Sequence, residues 1–450
     1  MNKHIKQQMM EILELLSKEH DVLIKHFENN DIEATLNCLS ECQNTALAIG
    51  QKIDAYEGEG STSVKALEEY CELIFQIYTQ VSNGDDIKSN KLSKSLKKSY
   101  INITNIMKND IKVKKEVVFL PYKASMWDSL ETVWQKADAD PEVEAKVIPI
   151  PYYDKNPDGS FGEYHYEGIL YPEYVPITPY ENYDLKLNHP DEIYIHNPYD
   201  DTNFVTSIPP EYYSKKIREY TDKLIYIPYF VLEEIDPDDE NAIEGLKNFI
   251  ENPAVIYADE VIVQSENMRK AYIEHMVKIT GEENRKFFSD KIKGTGSPKI
   301  EKLKKMSRDD VTVPDEWKKY ISRSDGSRKK IILYNTSLNS MLRHSDTILT
   351  KLLKVFDTFK ENKDNVVLLW RPHPLMEATM YNMRPHLLES YKKIVQLYKS
   401  EDIGIYDDST DLDRALVISD AYYGDPSSLV TLCKAINKPI MIQNVAVGID

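Results

Sequence analysis

The sequence predicts an α/β protein with two Rossmann-like halves facing a cleft, preceded by an α-helical module. Three observations predict it. From Lys114 onward, short apolar runs alternate with amphipathic stretches, the pattern of a parallel sheet covered by helices. A polar stretch at 281–327, containing GTGSPK, DVTVPDEW and SRSDGSR, interrupts that alternation and reads as a domain junction. Residues 1–110 carry helix-spaced apolar residues instead of short strands. The expected domains are 1–110, 114–300 and 328–450, and a chain of 450 residues has room for all three.

In the first region, IKQQMMEILELLSKEHDVLIKHF sets Ile5, Met9, Ile12, Leu15, Leu16, Leu23 and Phe27 at helical spacing. ALEEYCELIFQIYTQV repeats the pattern around residues 66–81. EGEGSTS between them is a turn, and a lysine-rich stretch, KSNKLSKSLKKS, follows. The reading is an antiparallel bundle, serving either oligomerisation or a protein partner. Its repeat is not strict enough for a long coiled coil.

The first α/β half reads in order as KKEVVFLPYKASMWDSLETVW (strand, loop, helix), AKVIPIPYYD (strand), DEIYIHNPYDD (strand ending at His196), DKLIYIPYFVL (strand) and ADEVIVQSENMRKAYIEHM (strand, helix). The second half reads as KKIILYNTS (strand), SDTILTKLLKVFDTFK (helix), NVVLLWRPHP (strand), PHLLESYKKIVQLYK (helix), GIYDD (strand), DLDRALVISDAYYGD (helix, strand), SSLVTLCKAIN (helix) and PIMIQN (strand). In doubly wound sheets, ligands bind beyond the carboxyl ends of the strands. The search for chemistry therefore concentrates there.

Composition removes several function classes. A net charge of −18 argues against nonspecific binding to nucleic acid or anionic lipid. The four cysteines, Cys38, Cys42, Cys71 and Cys433, lack metal-ligand or redox spacing, which fits a reducing cytoplasm. No leader pattern and no membrane-spanning apolar run is visible. The expectation is a cytoplasmic protein that would meet a membrane-bound substrate at the inner membrane surface.

Five constellations could carry chemistry. Arg371 and His373 sit on a proline-stiffened turn after a buried strand. Arg offers a planar fork of donors for phosphate, and His can donate to phosphate or move a proton. In GDPSSLVTLCKAIN, Asp425, Ser427 and Ser428 lie at a helix start, where capping and anion binding are compatible. His196 lies at another strand end, with Asp200 or Asp201 available to orient it. Asp407, Asp408, Asp411 and Asp413 could hold a hard cation, but helix capping is the preferred reading, with Thr410 and Asp411 lining the cleft. Lys123, Ser125 and Asp128 follow the first strand and could either meet an acceptor or phosphate or simply cap a helix. No P-loop, GxGxxG, HExxH or GxSxG motif is present.

The order KKIILYNTS, LLWRPHP, a short acidic stretch, SDAYYGDPSS and KPIMIQN resembles the C-terminal half of the CDP-glycerol glycerophosphotransferase family, the teichoic-acid polymerases and primases. GTGSPK resembles the family's Gly-Tyr-Pro-Arg segment before the second domain. The resemblance implies a GT-B fold with the donor nucleotide held mainly by the second domain. It implies that Arg371 and His373 bind the donor pyrophosphate. Asp425, Ser427 and Ser428 would hold phosphate or ribose. It implies His196, flanked here by Ile195 and Asn197, as the base that activates an acceptor hydroxyl. Lys123 and Asp128 would stand on the acceptor side. The implied reaction moves glycerophosphate from CDP-glycerol to a hydroxyl on a lipid-linked or surface glycan and releases CMP. No metal and no cofactor are expected. The family's fold often adds C-terminal helices, which this sequence does not show after its last predicted strand. Two rivals remain: a GT-B glycosyltransferase using a nucleotide sugar, and a non-catalytic nucleotide-binding scaffold acting through the helical arm.

Overall fold

A computed structural model describes residues 1–58, 60–344, 346–409 and 411–443. The chain divides into two compact units. The smaller comprises Met1–Glu116 with Asp140–Glu144 and Leu185–Asp191, and the larger comprises the remainder.

The smaller unit is a bundle of α1 (Lys3–Glu28), α2 (Ile32–Glu57), α3 (Thr62–Asn83) and α4 (Ser89–Asp110). Each helix packs on the next, and α4 packs back on α1. Ile5, Met9, Leu13, Leu16 and Leu23 line the buried stripe of α1 at the spacing that produces it. Asn2, Asp31 and Ser61 cap the first three helices by accepting from main-chain N–H groups three residues on. Ile12 and Leu15, which the periodicity placed in the apolar series, are exposed. Cys38 and Cys42 pack in the core as free thiols.

Among the described residues the larger unit holds fourteen strands, counting two strands that begin in the smaller unit: β1 (Lys115–Leu120), β2 (Val143–Val147), β3 (Tyr152–Lys155), β4 (Phe161–His165), β5 (Glu192–Ile195), β6 (Thr206–Ser207), β7 (Lys223–Tyr226), β8 (Glu260–Ile262), β9 (Ile292–Lys293), β10 (Lys330–Thr336), β11 (Val366–Pro372), β12 (Ile405–Tyr406), β13 (Ala421–Gly424) and β14 (Ile440–Ile442). The first sheet runs β2-β1-β5-β7-β8-β9, and its pairings from β1 to β9 are parallel. The second runs β12-β11-β10-β13-β14 and is parallel throughout. Numbered within itself, this is the 3-2-1-4-5 order of a Rossmann sheet, while the first begins in the flavodoxin-like 2-1-3-4-5 order. Both strand cores are near-continuous apolar runs, as sheets covered on both faces require. Two Rossmann-like sheets with a cleft lined from both give the unit a GT-B-like architecture.

A third sheet, β4-β3-β6, is antiparallel. The sequence reading missed it by treating AKVIPIPYYD as a single strand. Pro149 and Pro151 end β2 and leave Tyr152–Lys155 to pair with the FGEYH segment instead. The polar stretch at 281–327, read as a domain junction, is itself partly helical. It contains the helices Arg285–Lys291, Pro298–Lys305 and Asp315–Ile321. Among the described residues, no helix is long and apolar enough to cross a membrane.

Candidate functional site

The principal cleft has a volume of about 750 Å³. Lys123, Tyr152, Glu167 and the β3–β4 hairpin line it from the first half, and Arg371, His373, Tyr406 and Asp407 from the second. Both halves present the ends of parallel strands. Lys123 follows β1 at the point where the order of the first sheet reverses, and His373 follows β11.

Lys123 is buried. Its ammonium lies 3.9 Å from the centre of the Tyr152 ring, a cation–π contact. Tyr152 donates to Glu167 Oε1 at 2.7 Å, and Glu167 Oε2 accepts from the Ala124 N–H at 2.8 Å. One carboxylate thus ties the loop carrying Lys123 to the ring beneath its charge. Burial holds the Lys123 ammonium below the usual lysine range, while Glu167 and Asp154 oppose the shift.

His373 is half-buried. Its main-chain N–H donates to the Thr336 carbonyl at 3.1 Å, and its Nδ1 accepts from the Leu375 N–H at 3.1 Å. The neutral ring therefore carries its proton on Nε2. Burial, then the Lys123 charge, lowers the imidazole to about 4. At neutral pH His373 is an uncharged hydrogen donor.

Arg371 reaches the same wall in a different role from the one its sequence suggested. Its guanidinium is buried, pairs with the buried Asp407 and donates to the Ser409 carbonyl at 2.8 Å. Asp407 in turn accepts from Ser409 N–H and Oγ. The fork organises the turn after β12, so a phosphate would have to compete with a buried carboxylate for it.

His196 corrects the sequence reading. It is fully buried and does not line the cleft. Its Nε2 accepts from the Tyr122 N–H at 3.1 Å, while Nδ1 lies 3.0 Å from Ser129 Oγ and 3.2 Å from the Met126 carbonyl. Burial, reinforced by Lys299, lowers it to about 3. A neutral ring with both nitrogens engaged cannot take a proton from an acceptor in the cleft. It braces the 122–129 loop instead. Asp200 does not orient His196; it accepts from Ser214 N–H and Oγ.

The second anion-site candidate is likewise outside the cleft lining. Asp425 is fully buried, pairs with Lys351 and accepts from the Ser337 N–H at 2.9 Å. Ser427, not Asp425, caps the helix Ser428–Ala435, so Pro426 precedes the helix rather than opening it. Ser428 is exposed at the helix start.

Asp128 lies in a smaller adjoining cavity of about 180 Å³ with Glu131, Lys302, Asp411 and Asp413. It pairs with Lys299 at 2.9 Å, and Lys302 bridges Glu131 and Asp413. Burial raises the Asp128 carboxyl to about 6 against the pull of Lys299. Lys299 and Lys302 stand one helical turn apart on Pro298–Lys305 and so pin carboxylates from both halves. Asp411 caps the helix Leu412–Ile418 through the Arg414 N–H, as its capping pattern predicts. Thr410 lies outside the described residues.

Sequence reasoning missed Tyr152, Glu167, Asp154, Glu163, His165 and Asp407. The first five lie on the hairpin or just after it, where the unrecognised strand hid their common face. Asp407 was visible only as one member of an acidic run.

No family model matches the sequence, and no curated protein matches it. Among solved structures, the S. aureus MnaA–UDP structure is similar over 73% of this chain and 78% of that one, at 13% identity and a TM-score of 0.44. A UDP-GlcNAc 2-epimerase from Neisseria meningitidis, bound to UDP-GlcNAc, is similar over 73% and 82%, at 11% identity and 0.43. A putative UDP-N-acetylglucosamine 2-epimerase from Listeria monocytogenes is similar over 74% and 81%, at 13% and 0.42. Likeness at this level fixes neither substrate nor activity.

Proposed function

We propose that the protein is a transferase moving a group from a nucleoside-diphosphate-activated donor to an acceptor hydroxyl. The observation that carries this reading is the pairing of Lys123 with His373 across one cleft. One offers an ammonium and the other an Nε2–H, both set before any ligand arrives. A diphosphate is the anion such a pair suits. As the bond to the transferred group breaks, negative charge grows on the leaving phosphate, and fixed donors aimed there lower the barrier.

Two donors are separable. A nucleotide sugar is supported by the aromatic lining, Tyr152, Tyr381, Tyr391 and Tyr406, which offers flat apolar faces with polar tips to a sugar ring. The acceptor oxygen would then attack the anomeric carbon, and a nucleoside diphosphate would leave. CDP-glycerol is supported by the order of WRPHP and GDPSS along the chain. The oxygen would then attack the β-phosphorus, and CMP would leave. In both cases the proton of the acceptor hydroxyl passes to water or to the departing phosphate, so the step balances.

The test is a thermal-shift screen of CDP-glycerol against UDP-, GDP- and CMP-sugars, repeated on His373→Ala. The expected result is a shift with one donor series that the variant loses. A protein that responds to no nucleotide would sink the transferase reading.

A further inference from the structure

We propose that the cleft-facing hairpin binds one divalent cation of the Mn²⁺ class through Asp154, Glu163 and His165. Glu163 and His165 are two residues apart on β4 and so share a face. Asp154 faces them from β3, where the pairing shifts between Tyr153 and Lys155. The ligand atoms of the three all lie within 4.8 Å of one another.

The geometry around His165 points to an ion rather than to an ordinary surface cluster. Its Nε2 is shielded from solvent and makes no hydrogen bond among the described residues; it is ion-paired with Asp154, whose Oδ2 stands 3.1 Å away, and a cation between the two would take the place of that pair. Two adjacent ligands on an octahedral ion with bonds of ~2.1 Å are about 3.0 Å apart. The imidazole is held in that position by stacking on Tyr152, with ring centres 4.8 Å apart and planes at 19°. Carboxylates sharing a face on adjacent strands repel each other, and a dication between them reverses that cost.

Two carboxylates with one imidazole form a mainly hard donor set with one borderline nitrogen, which suits Mn²⁺ better than an all-oxygen ion. Three protein ligands leave coordination positions open, and all three residues line the same cleft as Lys123 and His373. The ion's use there, to hold a phosphate oxygen of the donor, rests on the transferase reading. The ion's binding does not.

The experiment titrates the EDTA-treated full chain with MnCl₂ alone and follows the free-ion signal by electron paramagnetic resonance. Saturable uptake of one ion per chain is expected, weakened at least about ten-fold in Glu163→Gln and His165→Ala. No saturable uptake, or uptake equal in wild type and Glu163→Gln, overturns the site. Glu163 is exposed, so its variant decides the matter if His165→Ala does not fold. Metal uptake without any nucleotide-induced shift would overturn the transferase reading and leave the cation site standing. A nucleotide shift without metal uptake would do the reverse.

Discussion

The Lys123 ammonium, at the end of a strand in the first sheet, depresses the imidazole of His373, at the end of a strand in the second. Burial is the larger cause, and the lysine charge adds to it in setting the state in which His373 meets a ligand. The lysine brings the charge, and the histidine stays neutral with a hydrogen to donate.

Replacing Lys123 with Met removes the cation while keeping most of the apolar stem. Donor turnover should fall about 10²-fold or more, the scale of one lost donor at a developing anion. The His373 imidazole should titrate at a higher pH than in the wild type, because a like charge that opposed its protonation is gone. Histidine-selective NMR across a pH series reads the second effect. An unchanged titration would show that the two groups do not sense each other.

His196 tests the correction to the sequence reading. His196→Asn should lower unfolding free energy by about 2–4 kcal/mol through broken buried hydrogen bonds, while turnover per folded molecule falls less than about ten-fold. The pH dependence has a definite sign. Burial holds the native ring down to about 3, against 6.5 for an ordinary imidazole. Between those values the unfolded chain binds a proton that the native ring does not, so stability contributed by His196 is lost as pH falls through this window. The gap between wild type and variant should narrow by up to about 1.4 kcal/mol per pH unit from 6.5 downward. Urea denaturation at pH 7 and pH 5 measures it.

What was legible in the sequence follows from the range of each interaction. The strand VVLLW and its RPHP stop are local signals; β11 begins where they place it but runs on through Arg371 to Pro372, two residues past the apolar run. The bundle's apolar spacing is local as well. The fate of the polar residues was not. Arg371 looks like a free anion ligand until the fold brings Asp407, 36 residues away, against it. Asp425 looks like a cap until Lys351 arrives from 74 residues upstream. His196 sits at a strand end, but whether such a residue faces the cleft or the interior depends on the 122–129 loop folded over it. The hairpin was obscured because FGEYH is short and begins at an exposed edge, which weakens its alternation.

The Arg371–Asp407 pair should behave as a buried ion pair. Asp407→Leu strands a buried guanidinium and should cost about 3–5 kcal/mol. Removing both charges in Arg371→Met with Asp407→Leu should recover much of that loss, because no uncompensated charge is left. Thermal denaturation of the two single variants and the double variant closes the cycle. If Arg371 were instead a phosphate ligand with no structural partner, its single replacement would weaken donor binding and leave stability near wild type.

Gly424 supports the same wall from the second sheet. It ends β13 opposite Asn335 with φ +145°, a backbone conformation that side chains rarely adopt. A Cβ there would come within 2.3 Å of the Asn335 carbonyl oxygen, a main-chain atom with no rotamer to yield. Asn335 in turn donates its side-chain N–H to the Arg371 carbonyl at 3.0 Å. Forcing β10 and β13 apart therefore displaces the strand end that carries Arg371 and His373. Gly424→Ala should cost at least about 3 kcal/mol and weaken donor binding as well, although Gly424 does not line the cleft. Ser428→Ala, four residues on at an exposed helix start, should change stability by no more than about 0.5 kcal/mol and leave donor binding unchanged. Calorimetry of the two variants with and without donor separates them. Equal effects would mean that the second sheet holds its ligand through the helix start and not through the end of β11.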